Sequence, residues 1–218
     1  MATGGKRLSG ALSRRALLLA AGLAPALAVA QPKKPPAPRS EGPALSTARS
    51  IVAGAPLSVF LTRAPAGSRL AIARPDDPPH TAIVVVEART SVASLPTPGV
   101  AGAYELRLTV EKDGAPAILL RQPLETTEPS ATLAAPERVG RGQALPVRGI
   151  GPNGEQDRVV LLAPDAPLDA EGPRFFPAEN AEATLEAPEA PGLYELRYVL
   201  NAPVSGLRII ARRPLRVE

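Results

Sequence analysis

The sequence predicts an all-β protein built from two β-sandwiches in tandem. Apolar and polar residues alternate with a period of two in several short segments, as expected for strands. The 27 prolines disfavour long helices, because proline lacks the N–H that a helix needs. One motif also occurs twice, as GAYELR at residues 102–107 and GLYELR at 192–197. These observations together predict a duplicated unit of short strands and many turns.

The duplication extends over most of the chain. Four blocks recur in the same order, and their offset grows only from 88 to 91 residues. Such collinear blocks are the signature of a tandem repeat. We therefore expect one sandwich at residues 44–127 and a second at 128–218, with a short joint near residues 126–130 that lets the two touch or hold a limited range of angles.

The central strand of each copy carries an alternating pattern. Between Tyr104 and Val110, apolar side chains alternate with Glu105, Arg107 and Thr109. This predicts one face in the core and one face in water, with Glu and Arg forming weak cross-strand pairs. A charged recognition strip is the alternative, and the same pattern recurs at Glu195 and Arg197.

The tyrosine motif resembles the immunoglobulin-like fold. In that fold a tyrosine near the start of strand F donates its hydroxyl to the backbone upstream, two residues before a disulfide cysteine. Tyr104 and Tyr194 follow a turn glycine, and Leu106 and Leu196 stand at the cysteine positions. The resemblance covers residues 44–218 and is to bacterial Ig-like repeats, including those appended to surface and von-Willebrand-type-A-containing proteins. It implies roughly seven short strands per copy and an apolar pair in place of the disulfide.

Composition excludes several classes of function. The net charge of +4 comes from Lys6, Arg7, Arg14 and Arg15, and the rest of the chain has equal numbers of acidic and basic residues. A nucleic-acid-binding groove needs basic side chains interleaved with aromatic ones, and aromatics are only 3% of the chain. There is no cysteine, hence no disulfide framework and no thiolate metal site. We expect no cofactor and no nucleic-acid partner.

Residues 1–30 read as an export signal. A basic start is followed by an apolar stretch and ends in a small-x-small cleavage motif at Ala28 and Ala30. Arg14 and Arg15 before the leucine run resemble a twin-arginine translocation signal, and a Sec signal is the alternative. Residues 31–43 contain five prolines and predict a solvated, extended tether. The protein is therefore predicted to be periplasmic or secreted, with membrane contact only through the uncleaved signal.

Candidate catalytic and metal-binding residues are few. His80 is the only histidine and follows two aspartates, but a zinc site needs three or four ligands. A solvated turn is the favoured interpretation of residues 76–80. No nucleophile elbow or phosphate-binding loop is present in the sequence. Calcium binding stays open, through the loop aspartates Asp76, Asp77, Asp165 and Asp169.

The sequence favours a non-catalytic binding or assembly module over two alternatives. These are a secreted hydrolase or metal-dependent enzyme with a site between the domains, and a purely structural spacer. Phe175 and Phe176 lie together between prolines and are a candidate contact for a partner. The alternative is that they close the edge of the sandwich. The expected partner is another exported or envelope protein.

Overall fold

The computed structural model describes residues 42–218, which belong to one compact unit of β-strands and turns. The predicted signal peptide with Arg14, Arg15, Ala28 and Ala30, and the tether as far as residue 41, lie outside the described residues. No segment of the described part forms a helix of the length and apolarity needed to cross a bilayer. The all-β fold class predicted from the period-two pattern is confirmed.

The first sandwich contains eight strands in two sheets. The sheet orders are β1-β3-β6 and β2-β8-β7-β4-β5. The strands are β1 (Ala44–Ser46), β2 (Ser50–Val52), β3 (Pro56–Thr62), β4 (Arg69–Ala73), β5 (Val84–Glu87), β6 (Val92–Pro96), β7 (Gly102–Lys112) and β8 (Ala115–Thr127).

The second sandwich repeats this arrangement strand for strand. Its sheet orders are β9-β11-β14 and β10-β16-β15-β12-β13. The strands are β9 (Thr132–Ala134), β10 (Arg138–Val139), β11 (Ala144–Ile150), β12 (Arg158–Leu162), β13 (Arg174–Phe175), β14 (Glu182–Glu186), β15 (Gly192–Ala202) and β16 (Gly206–Val217).

Each copy has one strand more than expected, because its first strand is divided between the sheets. β1 pairs antiparallel with β3, whereas β2 pairs parallel with β8 in the opposite sheet. The second copy divides in the same way between β9 and β10. In each sandwich this parallel pair joins the start of the repeat to its last strand.

The core of each sandwich forms around the predicted central strand. Leu106 and Leu196 are fully buried, in the positions where the immunoglobulin disulfide would lie. The hydroxyl of Tyr104 donates to the carbonyl of Val100 at 3.2 Å, and that of Tyr194 donates to the carbonyl of Ala190 at 3.1 Å. The predicted tyrosine corner is thus present in both copies, and it ties the turn before the strand to the core.

The two sandwiches meet through the hairpin between β15 and β16. The N–H of Gly99 donates to the carbonyl of Pro203 at 2.8 Å, which links the first sandwich to the tip of that hairpin. Gly54 adopts a φ of +83°, and a side chain there would overlap Leu200. Glycine is required at this point by both its backbone conformation and the close approach. The contact at the joint therefore requires residues without a side chain in the first sandwich, so that its backbone can approach the second.

Substitutions in the second central strand are expected to separate hydrogen bonding from packing. Tyr194→Phe removes one hydrogen bond and should lower the free energy of unfolding by about 1 kcal/mol. Leu196→Ala leaves a cavity at a fully buried site and should cost about 2–5 kcal/mol. Urea unfolding of both variants measures the two losses. A larger loss for Tyr194→Phe would contradict the core position of this strand.

Candidate functional site

The outer face of the first five-stranded sheet is not the wet surface that alternation predicts. Arg107 points outward from β7, yet its side chain is completely buried. The loop of residues 74–83 between β4 and β5 folds across the sheet and covers the guanidinium. The expectation of a solvated charged face at Glu105, Arg107 and Thr109 is wrong for all three, because each is less than 9% exposed.

The Arg107 guanidinium uses all five of its N–H donors to hold this loop. Its Nε donates to the carboxylate of Glu105, and its two terminal nitrogens donate to four backbone carbonyls at 2.6–3.2 Å. The carbonyls belong to Arg74, Asp77, Pro78 and Thr81. A buried guanidinium is tolerated only when its charge and donors are satisfied, and this arrangement satisfies both.

The second sandwich contains the same arrangement. We call it the arginine clamp: a buried arginine that donates to a glutamate of its own strand and to four carbonyls of a loop. Arg197 is 2% exposed, and its Nε donates to Glu195 at 2.5 Å. Its terminal nitrogens donate to four carbonyls of the loop of residues 163–173, those of Ala163, Pro164, Ala166 and Pro167. In each copy a half-exposed arginine of the last strand, Arg121 or Arg212, also donates to the glutamate. The clamp is therefore a property of the repeat.

The two loops differ in what they leave open beside the clamp. In the second sandwich Leu168 and Ala170 of the loop pack on Val160 and Val199, and these last two are fully buried. In the first sandwich the positions of Val160 and Val199 are taken by Ala71 and Thr109, which occupy the same registers beside the clamp. Ala71 is smaller than Val160, and the loop of residues 74–83 borders the space with Pro79, His80 and Ala82, where the other loop packs Leu168 on the sheet.

The unfilled space is a groove of about 340 Å³ on the outer face of the first sandwich. Its floor is formed by the sheet, one wall by the loop of residues 74–83, and the other by the hairpin between β7 and β8. Charged and titratable groups of both signs stand among apolar ones along its lining. The lining residues are Arg69, Ala71, Pro79, His80, Ala82, Val85, Thr109, Val110, Glu111, Gly114 and Pro116. We take this groove as the candidate binding site.

The histidine singled out by the sequence borders this groove without forming a metal or catalytic cluster. His80 is exposed at the end of the loop, as expected for a solvated turn. Asp77 accepts the N–H of Arg74 at 3.0 Å and so stabilises the turn itself. Within residues 42–218, no three His, Cys, Asp or Glu side chains come close enough to hold a metal ion. The aspartates considered for calcium are divided between the loops of the two sandwiches.

Phe175 and Phe176 lie at the free edge of the five-stranded sheet of the second sandwich. Phe175 belongs to β13, pairs with Val159 and packs half-buried against the core. Phe176 is half-buried, and its carbonyl accepts the N–H groups of Glu179 and Asn180 in the next turn. A partner contact at these residues stays a prediction.

The joint between the sandwiches holds a buried acidic group. The side chain of Asp157 accepts the N–H groups of Gly154 and Asn201 at 2.9 Å and the hydroxyl of Tyr198 at 3.1 Å. Burial raises the pKa of Asp157, and burial together with this carboxylate raises the pKa of Tyr198. The network fixes the loop of residues 151–157, which faces the first sandwich.

A second groove of about 360 Å³ lies beside this network at the joint. It was the place expected for a site if the protein were an enzyme. Its lining contains the carboxylate of Glu155 and the amides of Gln156 and Asn201 as its only polar side chains within the described residues. His80 lies in the other groove. The joint as described therefore does not bring together a nucleophile and a base.

Comparisons with known proteins show similarity in fold alone. No protein-family model matches the chain, and no curated protein matches it. The human OSCAR ligand-binding domain aligns with 80% of this chain and 97% of its own, at 18% identity and a TM-score of 0.30. Three domains of the bacteriophage RB49 capsid protein Hoc align with 81% of this chain and 57% of their own, at 11% identity and a TM-score of 0.31. The D0–D1 domain of intimin aligns with 79% and 97%, at 10% identity and a TM-score of 0.27. The strand order and register described above define the fold class.

The geometry of the clamp should matter more than its charge. Arg107→Lys keeps one positive charge but cannot reach four carbonyls and a carboxylate at once, so buried acceptors lose their donors. We expect a loss of about 3 kcal/mol or more in unfolding free energy. Arg121→Lys is the matched control, since this side chain is 48% exposed and makes one ion pair. It should cost less than about 1 kcal/mol. Equal losses of unfolding free energy for the two variants in urea would contradict the role of the Arg107 guanidinium in holding the loop.

The raised pKa of Asp157 predicts the sign of a pH effect. The ordinary value is 3.8, so the folded protein binds this proton more tightly than the unfolded chain does. Stability contributed by the protonated form is therefore lost as pH rises above that value. The unfolding free energy of the wild type, relative to Asp157→Asn, should fall as the pH is raised from below 3.8 to neutrality. Urea midpoints across this range test it, and a relative rise would mean that hydrogen bonding to the carboxylate outweighs burial.

Proposed function

We propose that the protein is a non-catalytic, exported binding module whose first sandwich receives a segment of another envelope protein in the groove beside Arg107. One observation carries the proposal. At equivalent positions of a duplicated fold, the second copy fills the outer face with its own side chains, and the first copy leaves it open. A repeat that needs no opening for stability, but has one in a single copy, is best explained by a ligand.

The chemistry of the groove suits a polypeptide segment. Its lining provides apolar contacts from Ala71, Val85 and Pro116, which an apolar side chain of the partner would cover. Arg69 and Glu111 offer one charge of each sign for orientation. The volume of about 340 Å³ suits a few side chains of a partner. A multiply charged ligand such as a nucleic acid finds no matching field there.

The rigid supports of the groove favour recognition over catalysis. The loop wall is held by the four carbonyl contacts of Arg107, and the opposite wall is a two-stranded hairpin. A preformed site loses little conformational entropy on binding. Export is supported by the signal-like residues 1–30, and the periplasm or the exterior is the proposed location. The twin-arginine route is part of this proposal.

Filling the groove tests the function. The double variant Ala71→Val/Thr109→Val introduces the side chains that the second sandwich carries at these positions. It should keep the fold and reduce partner capture from a periplasmic extract by about tenfold or more, because Ala71→Val adds bulk to the floor of the groove and Thr109→Val replaces a hydroxyl there with a methyl group. Captured proteins are quantified by mass spectrometry, and thermal melting checks the fold.

The control variant carries the same two chemical changes elsewhere. Ala144→Val/Thr184→Val lies on exposed strand positions of the second sandwich and should leave capture unchanged. Capture that survives filling of the groove would exclude this site. Absence of any specific partner for the wild type would favour the structural spacer.

A further inference from the structure

The three-stranded sheet of the first sandwich has an uncharged outer face. In a chain with 21% charged residues, no side chain that the described strands place on this face is ionisable. Phe60 and Val92 are direct cross-strand neighbours there, and they are 56% and 49% exposed. The residues of the face are Ala44, Ser46, Pro56, Ser58, Phe60, Thr62, Val92, Ser94 and Pro96.

The second sandwich carries charges at the equivalent positions. The counterparts of Phe60 and Val92 are Arg148 and Glu182, which form an ion pair of 3.5 Å across the same two strands. Pro96 is replaced by Glu186 at the end of the edge strand. Charged residues on an edge strand discourage pairing with another chain. This protection is present in the second copy and missing from the first.

The edge strand β6 of the first sandwich offers backbone groups for pairing. Its neighbour β3 lies on one side, and within residues 42–218 the sheet ends at β6 on the other. The carbonyl of Ser91 accepts the N–H of Leu61 on β3 at 2.8 Å. Because the groups of successive residues alternate in an antiparallel ladder, those of Val92, Ser94 and Pro96 point to the free edge.

The free groups of β6 are complementary to those of an identical strand. We propose that two copies of this chain associate by antiparallel pairing of β6 with β6 about Ser94. The two Ser94 residues then exchange both of their N–H···O bonds, and the N–H of Val92 donates to the carbonyl of Pro96 in the other copy. The proposal goes beyond the groove and does not depend on it.

The symmetric pairing lacks one backbone donor, at Pro96, but the carbonyl opposite it is already hydrogen-bonded. Proline has no N–H, so Pro96 leaves the opposite carbonyl, that of Val92, without a partner from the other copy. That carbonyl already accepts the hydroxyl of Thr90 in its own chain, at 2.5 Å. Every edge group of this strand therefore has a partner in the symmetric pair, as a buried seam requires.

The same pairing at the second sandwich is opposed by charge. A seam centred on Thr184 would place Glu182 opposite Glu186 of the other copy, on the same face of the sheet. Like charges directly opposite in a sheet are destabilising. In the first sandwich the corresponding pair is Val92 opposite Pro96, both apolar. The pairing is consequently specific to the first sandwich.

Sedimentation velocity of the purified protein over a concentration series tests the pairing. The wild type should show a monomer–dimer equilibrium. Ser94→Pro removes an N–H that points away from β3 and should raise the dissociation constant at least about tenfold, because the central bonds of the seam are lost. Thr184→Pro, the same kind of change at the equivalent edge of the second sandwich, should leave association unchanged.

A side-chain variant provides a second test that leaves the backbone hydrogen-bonding groups unchanged. Phe60→Arg/Val92→Glu copies the ion pair of the second sandwich onto the first. It should retain the melting temperature and weaken association, since the carboxylate introduced by Val92→Glu would then face the apolar Pro96 of the other copy. A wild type that is monomeric at every concentration, or a dimer unaffected by Ser94→Pro, would overturn the proposal. So would an edge occupied by a different protein that Ser94→Pro releases.

Discussion

The structure depends on one buried guanidinium in each sandwich. Arg107 and Arg197 stand on strand faces that would otherwise be solvated, and each orders a loop of about ten residues by donating to four of its carbonyls. These loops contain no regular structure of their own. One arginine side chain therefore supplies the hydrogen-bond donors for these loop carbonyls, as a neighbouring strand does for the carbonyls of a strand. The cost of burying the charge is offset by Glu105 or Glu195 beside it.

An arginine clamp of this kind fixes the path of a loop without requiring a particular loop sequence. The arginine donates to backbone carbonyls, so the side chains of the loop are free to vary while the path stays fixed. In the second copy the half-buried Leu168 packs on the sheet, and the first copy has Pro79 and the exposed His80 there. The outer face of the five-stranded sheet is therefore covered in the second copy and open as a groove in the first. Duplication followed by divergence within a fixed frame accounts for both.

Sequence patterns predicted the elements whose side chains face the core. The period-two alternation located β7 and β15, and the tyrosine after a turn glycine placed the corner correctly. Alternation could not show that the other face of β7 is covered. It distinguishes the two faces of a strand but does not show that a loop packs on one of them. The recurrence of Glu-x-Arg in both copies was the available signal, since unpaired surface charges need not recur. The uncharged edge at β6 required knowledge of the strand order, which no local pattern contains.

The departures of the first sandwich from its repeat lie on opposite sheets. The groove uses the outer face of the five-stranded sheet, and the uncharged edge belongs to the three-stranded one. The groove beside Arg107 does not include the residues at the joint, where Gly54 and Gly99 contact the second sandwich, whereas Pro96 at the end of β6 also lines the groove at the joint. Because the two surfaces lie on opposite sheets, both can be occupied together. Two chains joined at β6 would present two grooves in a fixed relation, and a partner with two matching segments would bind the pair more tightly than either groove alone.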